Sequence, residues 1–281
     1  MDFSKAVYSD RPAILVAIDV VRKIVAENPA PYTLMLSGGV DSQAMFYAWH
    51  LSGVPFSIMN VEFHSNGIFF NEDDCADLHS FVPKFGTYEI QTRKLDILSF
   101  LDSELPVYAR TYHCTSPQIC AHMKFIDLVE HGGTVVYSGN FMQRSPPFNF
   151  TILGLDRFAQ EEKRVNLIPF FFMHDPELAV AFRENLPRHS WSINTFDSSR
   201  SYNDKCEVFR VGGFPVVNQT LKMTGFEHVK EYFDDKTHLI TRLDRLKHAH
   251  QPSKRVFDLL YRYRFNESIK YIDEIQMRLT T

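Results

Sequence analysis

The stretch that most constrains this chain is residues 34–42, which read Leu-Met-Leu-Ser-Gly-Gly-Val-Asp-Ser. Its apolar start, residues 33–36, predicts a short buried strand, and the apolar positions of residues 44–51 predict a helix. A strand, a glycine turn and a helix N-terminus in direct succession can bind an anion, because backbone N–H groups and the helix dipole point to one place. Two glycines would also let the backbone approach a phosphate closely.

The polar side chains of this stretch make the prediction more specific. Ser37 and Ser42 would add hydroxyl donors, whereas the carboxylate of Asp41 would repel a bare phosphate. Asp41 is explained if Mg²⁺ lies between its carboxylate and the phosphate. The alternative is a plain glycine turn in which Asp41 only caps the helix, since such junctions are common. The residues taken singly leave both interpretations open.

As a complete string, residues 37–42 resemble the Ser-Gly-Gly-x-Asp-Ser fingerprint of the PP-loop ATP pyrophosphatases. They match neither a Walker A loop nor a Rossmann glycine motif. The resemblance implies a loop that holds the β- and γ-phosphates of ATP while a substrate oxygen attacks the α-phosphorus. It implies cofactors ATP and Mg²⁺, with Asp41 as catalytic residue and metal ligand. The implied ATP-binding residues in the loop are Ser37, Gly38, Gly39, Val40, Asp41 and Ser42.

Strand and helix patterns alternate through the first half of the chain. They predict a doubly wound parallel α/β sheet, with strands at 33–36, 55–63, 87–91 and 134–138 and helices at 13–28, 44–51, 71–81, 96–105 and 118–131. Asn71 is expected to cap the third helix. After residue 140 the pattern changes. We therefore predict an ATP-binding core at 1–145 and a mixed, mostly helical region for substrate specificity at 146–281.

Polar residues follow two of the predicted strands. Glu62 and residues 64–66 come at the end of one strand, and Ser138-Gly139-Asn140 ends another. Ligands gather at the carboxyl ends of parallel strands. Glu62 and Gly139 are therefore expected to contact ATP, if the strand before Gly139 neighbours the one before the glycine turn. An ordinary polar loop is the alternative.

A second segment resembles the synthetase domain of asparagine synthetase and β-lactam synthetase. The matching pairs, in chain order, are Asp156-Arg157, Arg164-Val165, Pro169-Phe170, Glu177-Leu178 and Leu186-Pro187. The resemblance implies an AMP-forming ligase that adenylates a carboxylate or carbonyl substrate for attack by an amine or ammonia. Its partners would then be a small-molecule acid and an amine.

The chain departs from that family in three ways. Residue 2 is Asp2, so the N-terminal cysteine of a glutaminase domain is missing. The turn at 138–143 holds no carboxylate, which puts the ligase chemistry in doubt more than the ATP site. The four cysteines form no C-x-x-C pair, which disfavours cysteine-pair tRNA thiolases and zinc-dependent relatives. The catalytic cation stays open among three candidates, Lys205, Arg210 and Lys222.

Two further hypotheses remain. Residues 236–264 are rich in Lys and Arg, which would suit a PP-loop enzyme that modifies tRNA. A solvated helix face explains the same charges, and it also explains His122 and Lys124 on the predicted helix 118–131. Alternatively, the chain is an ATP-binding module that has lost catalysis, as the missing acids after Gly139 suggest.

Length, composition and net charge limit the class of protein and the location that we expect for this chain. The chain has 281 residues, 44% of them hydrophobic, so a sizeable core is expected. A net charge of −4 disfavours a generic nucleic-acid binder. We find neither a signal-peptide pattern nor an apolar run long enough to cross a bilayer, and therefore expect a cytoplasmic protein without a membrane partner.

Overall fold

The structure, a computed structural model, describes residues 11–104, 107, 117–129, 132–138, 166–184 and 206–217. The strands are β1 (Tyr32–Met35), β2 (Ser57–Ser65), β3 (Ile68–Phe69), β4 (Ile90–Asp96), β5 (Thr134–Tyr137) and β6 (Asn166–Ile168). The longer helices are α1 (Ala13–Glu27), α2 (Val40–Ser52), α3 (Glu72–Phe81), α4 (Pro117–Asp127) and α5 (Pro176–Glu184). Short helical turns lie at Val82–Phe85, Ile97–Ser99, Phe100–Glu104, Phe171–Met173 and 206–211.

The strands form one sheet that is parallel apart from a hairpin. Its order is β4-β2-β1-β5-β6, and β3 pairs antiparallel with the far end of β2. Along the chain, β2 and β4 are added on one side of β1, and β5 and β6 are then added on its other side. The strand order therefore reverses between β1 and β5, and ligands of such sheets bind outside the strand ends at this point.

Helices cover both faces of the sheet. One face carries α1, α2, α3 and α5, whose apolar side chains pack with Leu34, Ile58 and Val136 in the main core. On the other face, Phe125 of α4 packs against Phe63 of β2, with ring centroids 5.5 Å apart. The predicted α/β class with a parallel sheet and helices on both faces is thus confirmed.

Several local features differ from the predictions. The helix expected at 118–131 ends at Asp127, and the helix expected at 96–105 is divided into two short pieces. The strand expected at 87–91 begins at Ile90 and runs to Asp96. The strand expected to end at residue 63 continues to Ser65, turns at Asn66-Gly67 and pairs with β3. Both turn residues have positive φ, as an Asn-Gly hairpin requires. The strand β6 was not predicted.

The expected domain boundary at residue 145 lies outside the described residues and stays a prediction. Within the described part of the second region, β6 pairs with β5, and residues 206–217 pack with α1 and α5 in the main core. No helix in the described ranges combines the length and apolar character needed to cross a membrane.

Candidate nucleotide site

The loop at residues 37–42 lies at the point where the strand order reverses. Met35 ends β1 opposite Met59 of β2 and Tyr137 of β5. The next residue, Leu36, is still attached to β2: its N–H donates to the Met59 carbonyl at 3.0 Å, and its carbonyl accepts from the Asn60 amide at 2.7 Å. The chain therefore leaves the sheet at Ser37, which is exposed.

Gly38 occupies a position that only glycine fills easily. Its φ is +86°, and a Cβ built on it would overlap the backbone carbonyl oxygen of Asp74 and lie 3.0 Å from the Leu78 nitrogen. Gly38 therefore packs directly on the backbone of α3. Gly39 follows in an extended conformation as the N-cap residue, and α2 starts at Val40.

The first turn of α2 places backbone N–H donors at the carboxyl end of β1. The first N–H groups of a helix have no intrahelical acceptor, and no side chain within the described residues caps α2. Ser37 and Ser42 brace the turn, because the Ser37 N–H donates to Ser42 Oγ at 3.2 Å and the two hydroxyls are 3.2 Å apart. Asp41 lies in the first turn and is partly exposed, whereas Val40 and Ser42 are buried.

A buried amide that was not among the predicted site residues, that of Gln43, holds this turn against the core. Gln43 is 1% exposed. Its Nε2 donates to the Gly38 carbonyl at 2.9 Å, and its Oε1 accepts from the Val217 N–H at 2.8 Å. No local signal would have found the second bond, because 174 positions separate the two residues.

Glu62 lies near the carboxyl end of β2, three residues beyond the last pairing with β1. Its Oε2 is 2.8 Å from His64 Nε2 and 3.8 Å from Lys94 Nζ. Next to it, Ser65 and the Ser99 N–H both donate to Asp96, and these bonds keep the pKa of Asp96 below its usual value although burial opposes them. Glu62 therefore belongs to a polar edge formed by β2 and β4.

Cys75 of α3 lies next to β2, the strand that carries Glu62. Cys75 is buried and donates to Asn60 Oδ1 at 3.2 Å. Burial, followed by the nearby carboxylates of Glu62 and Asp74, raises its pKa to about 12. These carboxylates and the backbone on which Gly38 rests therefore share one neighbourhood.

The condition on which the Gly139 prediction depends, that its strand neighbours the strand before the glycine turn, is met. β5 is the direct neighbour of β1, so Ser138 follows β5 on the side of the loop. Gly139 and Asn140 lie outside the described residues, and their contact with ATP stays a prediction. Lys205, Lys222 and the basic stretch 236–264 also lie outside them, as do Asp156-Arg157, Arg164-Val165 and Leu186-Pro187.

Several other candidates have ordinary structural partners. Arg210 is exposed, and its Nε donates to the Val216 carbonyl at 3.2 Å. Lys124 pairs with Glu104 at 2.6 Å. The carbonyl of His122 accepts from the Tyr137 hydroxyl at 2.9 Å. Leu178 lies in the main core.

The residues present fit a magnesium-bound triphosphate. Gly38 and Gly39 keep Cβ atoms out of the turn, the helix start would supply N–H donors, and Asp41 would supply the kind of oxygen ligand that Mg²⁺ prefers. Across the described ranges, no group of three or more His, Cys, Asp or Glu side chains could hold a metal by itself. A metal held by one or two carboxylates plus phosphate oxygens needs no such group.

Comparisons with known proteins do not assign this chain to a family. No protein-family model matches the chain, and no curated protein matches it. Among solved structures, the chain is similar to the U34-tRNA thiolase NcsA from Methanococcus maripaludis with its 4Fe-4S cluster. The identity is 14%, the TM-score is 0.38, and the match covers 90% of this chain and 80% of that chain. A TM-score this low does not decide between the hypotheses, and these comparisons do not show the resemblance to asparagine synthetase.

Proposed function

We propose that the chain binds ATP through residues 37–42 and transfers its AMP part to a substrate, releasing pyrophosphate. The observation that carries the proposal is Gly38, whose left-handed backbone rests on α3 where the strand order reverses. The fold thus keeps side chains out of the one turn that leads into the N-terminus of α2. An anion is stabilised at such a position by N–H donors and by the helix dipole.

The chain's own groups would act on the leaving pyrophosphate. Attack by a substrate oxygen on the α-phosphorus breaks the bond to the β-phosphate, and negative charge grows on the pyrophosphate. N–H groups at the start of α2 and the hydroxyls of Ser37 and Ser42 would stabilise this charge. One such donor is worth roughly 3 kcal/mol of transition-state energy in acyl-transfer enzymes.

Asp41 would hold Mg²⁺ on the phosphate side of α2. The metal, when bound, supplies charge neutralisation on the phosphate oxygens. Without it, the carboxylate in the first turn would repel the triphosphate. Asp41 therefore makes ATP binding dependent on the divalent cation.

For the substrate, we propose a carboxylate or carbonyl compound whose adenylate is attacked by an amine or ammonia, as in asparagine synthetase. This proposal rests on the second sequence resemblance. A PP-loop enzyme that modifies tRNA is the alternative, and it rests on the basic residues at 236–264. Pyrophosphate release measured with a pool of acids and amines, and separately with tRNA, distinguishes the two. Release stimulated by tRNA alone would refute the ligase, and tRNA binding should then weaken steeply with salt.

The site itself is tested with Asp41→Asn. We expect the variant to bind ATP in the absence of Mg²⁺ at least as well as the wild-type chain, and to lose Mg²⁺-dependent pyrophosphate release. Asp73→Asn is a matched control, because Asp73 is an exposed acid in the first turn of α3. Unchanged release in Asp41→Asn would refute the metal role. If ATP binds but no substrate pool stimulates pyrophosphate release, the remaining hypothesis is an ATP-binding module that has lost catalysis.

A further inference from the structure

The carboxamide of Gln43 joins two parts of the chain that are far apart in sequence. It donates to the Gly38 carbonyl in loop 37–42 and accepts from the Val217 N–H at the end of segment 206–217. A neutral carboxamide can donate to a carbonyl and accept from an N–H at the same time. A carboxylate would face the Gly38 carbonyl with a second acceptor, and an apolar side chain would leave both backbone groups unsatisfied.

The bond to Gly38 fixes the orientation of a peptide group in the loop. In a trans peptide the carbonyl and the following N–H point in opposite directions. Because the Gly38 carbonyl points to the buried Gln43 amide, the Gly39 N–H points away from it. Gly39 is the N-cap residue of α2, so this N–H belongs to the group of donors proposed to bind phosphate.

The other end of the amide is held by a well-anchored segment. The Gly212 carbonyl accepts from the Ile14 N–H of α1 at 2.9 Å, and the Phe214 ring stacks on Phe182 of α5 with centroids 5.6 Å apart. Segment 206–217 is therefore part of the core, and its last residue, Val217, is joined to loop 37–42 through Gln43.

We propose that Gln43 is a positioning residue that orients the Gly38–Gly39 peptide for phosphate binding and couples the loop to segment 206–217. This inference rests on the proposed ATP site. It adds that nucleotide binding and the order of segment 206–217 depend on each other, because one amide serves both.

The first test is Gln43→Met, which keeps the length of the side chain and removes both hydrogen bonds. Isothermal titration with Mg-ATP and with magnesium pyrophosphate should give affinities about 10-fold weaker than those of the wild-type chain, the effect of losing one oriented donor. Tyr32→Phe is the control, because it removes hydroxyl bonds to the carbonyls of Val25 and Asn28 at the opposite end of β1. The control should lose stability without losing affinity.

The second test uses the wild-type chain and does not depend on the folding of a variant. Hydrogen exchange at the Val217 amide should slow severalfold when saturating Mg-ATP is added. Equal affinity of Gln43→Met and wild type, or exchange at Val217 that ATP leaves unchanged, would overturn the inference alone. A wild-type chain that binds neither ATP nor pyrophosphate would overturn the proposed function and the inference together.

Discussion

The backbone carbonyl oxygen of Asp74 lies where a side chain of Gly38 would have to be. Asp74 belongs to the first turn of α3, and Gly38 begins the turn that leads into α2. The loop before α2 and the first turn of α3 are thus in direct backbone contact at this point. The absence of a side chain at residue 38 is required by the fold itself, as well as by any ligand that binds above it.

Gly38→Ala should therefore be costly in the free protein. A left-handed backbone costs a non-glycine residue about 1–2 kcal/mol, and overpacking typically costs a further 1–3 kcal/mol. We expect the free energy of unfolding to fall by about 2–5 kcal/mol in urea titrations without nucleotide.

Gly53→Ala separates these two contributions. Gly53 also has a positive φ, +72°, but no described atom lies within 4 Å of a Cβ built on it. This variant should lose only the conformational part, about 1–2 kcal/mol. Equal losses for Gly38→Ala and Gly53→Ala would contradict the packing of Gly38 on α3.

Cys75 should be chemically inert in the folded protein. Burial, followed by the nearby carboxylates of Glu62 and Asp74, raises its pKa to about 12. The reactive thiolate is therefore scarce at pH 8. Iodoacetamide at that pH, followed by peptide mass spectrometry, should leave Cys75 unmodified in the native chain and modify it in urea. Rapid native modification would show that the reagent reaches the space between α3 and β2, which contradicts the burial of Cys75.

Loop 37–42 could be predicted because every signal for it is local. An apolar strand, two glycines and a largely apolar helix follow one another, and the structure has them in that order at Tyr32–Met35 and Val40–Ser52. Asp175-Pro176-Glu177 carries an equally local helix signal, an N-cap residue followed by Pro and an acid, and α5 begins there. The β2–β3 hairpin had an equally local signal in Asn66-Gly67, although the predicted strand ended at residue 63.

Side-chain contacts between separate helices and strands could not be predicted from the sequence. The prediction that Asn71 caps α3 was wrong in this sense: its position is correct, but its side chain makes no cap bond. Instead its amide bonds the Phe63 N–H and the Val61 carbonyl of β2. Local preference favoured the cap, and the tertiary structure offered two buried backbone groups that required partners.

The pair of Lys23 and Asp175 fastens α5 to α1. Lys23 Nζ is 2.8 Å from Asp175 Oδ2, and the other carboxylate oxygen accepts from the Glu177 N–H at 2.9 Å. Burial alone would raise the pKa of Asp175. The bonds from Lys23 and from the Glu177 N–H outweigh burial, so the pKa lies below its ordinary value of 3.8.

This lowered pKa predicts an acid-sensitive contribution to stability. A carboxyl group whose pKa is lower in the folded state stabilises the fold above its unfolded pKa, and the contribution is lost as the pH falls through the folded value. Asp175→Asn keeps a good N-cap residue and removes the charge. It should cost about 0.5–1 kcal/mol at pH 7, because the side chain of Lys23 is half exposed and solvent screens the pair.

The decisive comparison is between pH values. In urea titrations, the difference between wild type and Asp175→Asn should shrink as the pH falls below 4, where the wild-type carboxylate becomes protonated. Asp175→Ala should cost about 1 kcal/mol more than Asp175→Asn at both pH values, because it also loses the cap. A cost for Asp175→Asn that is the same at pH 3 and pH 7 would mean that the ion pair with Lys23 does not stabilise the packing of α5 on α1.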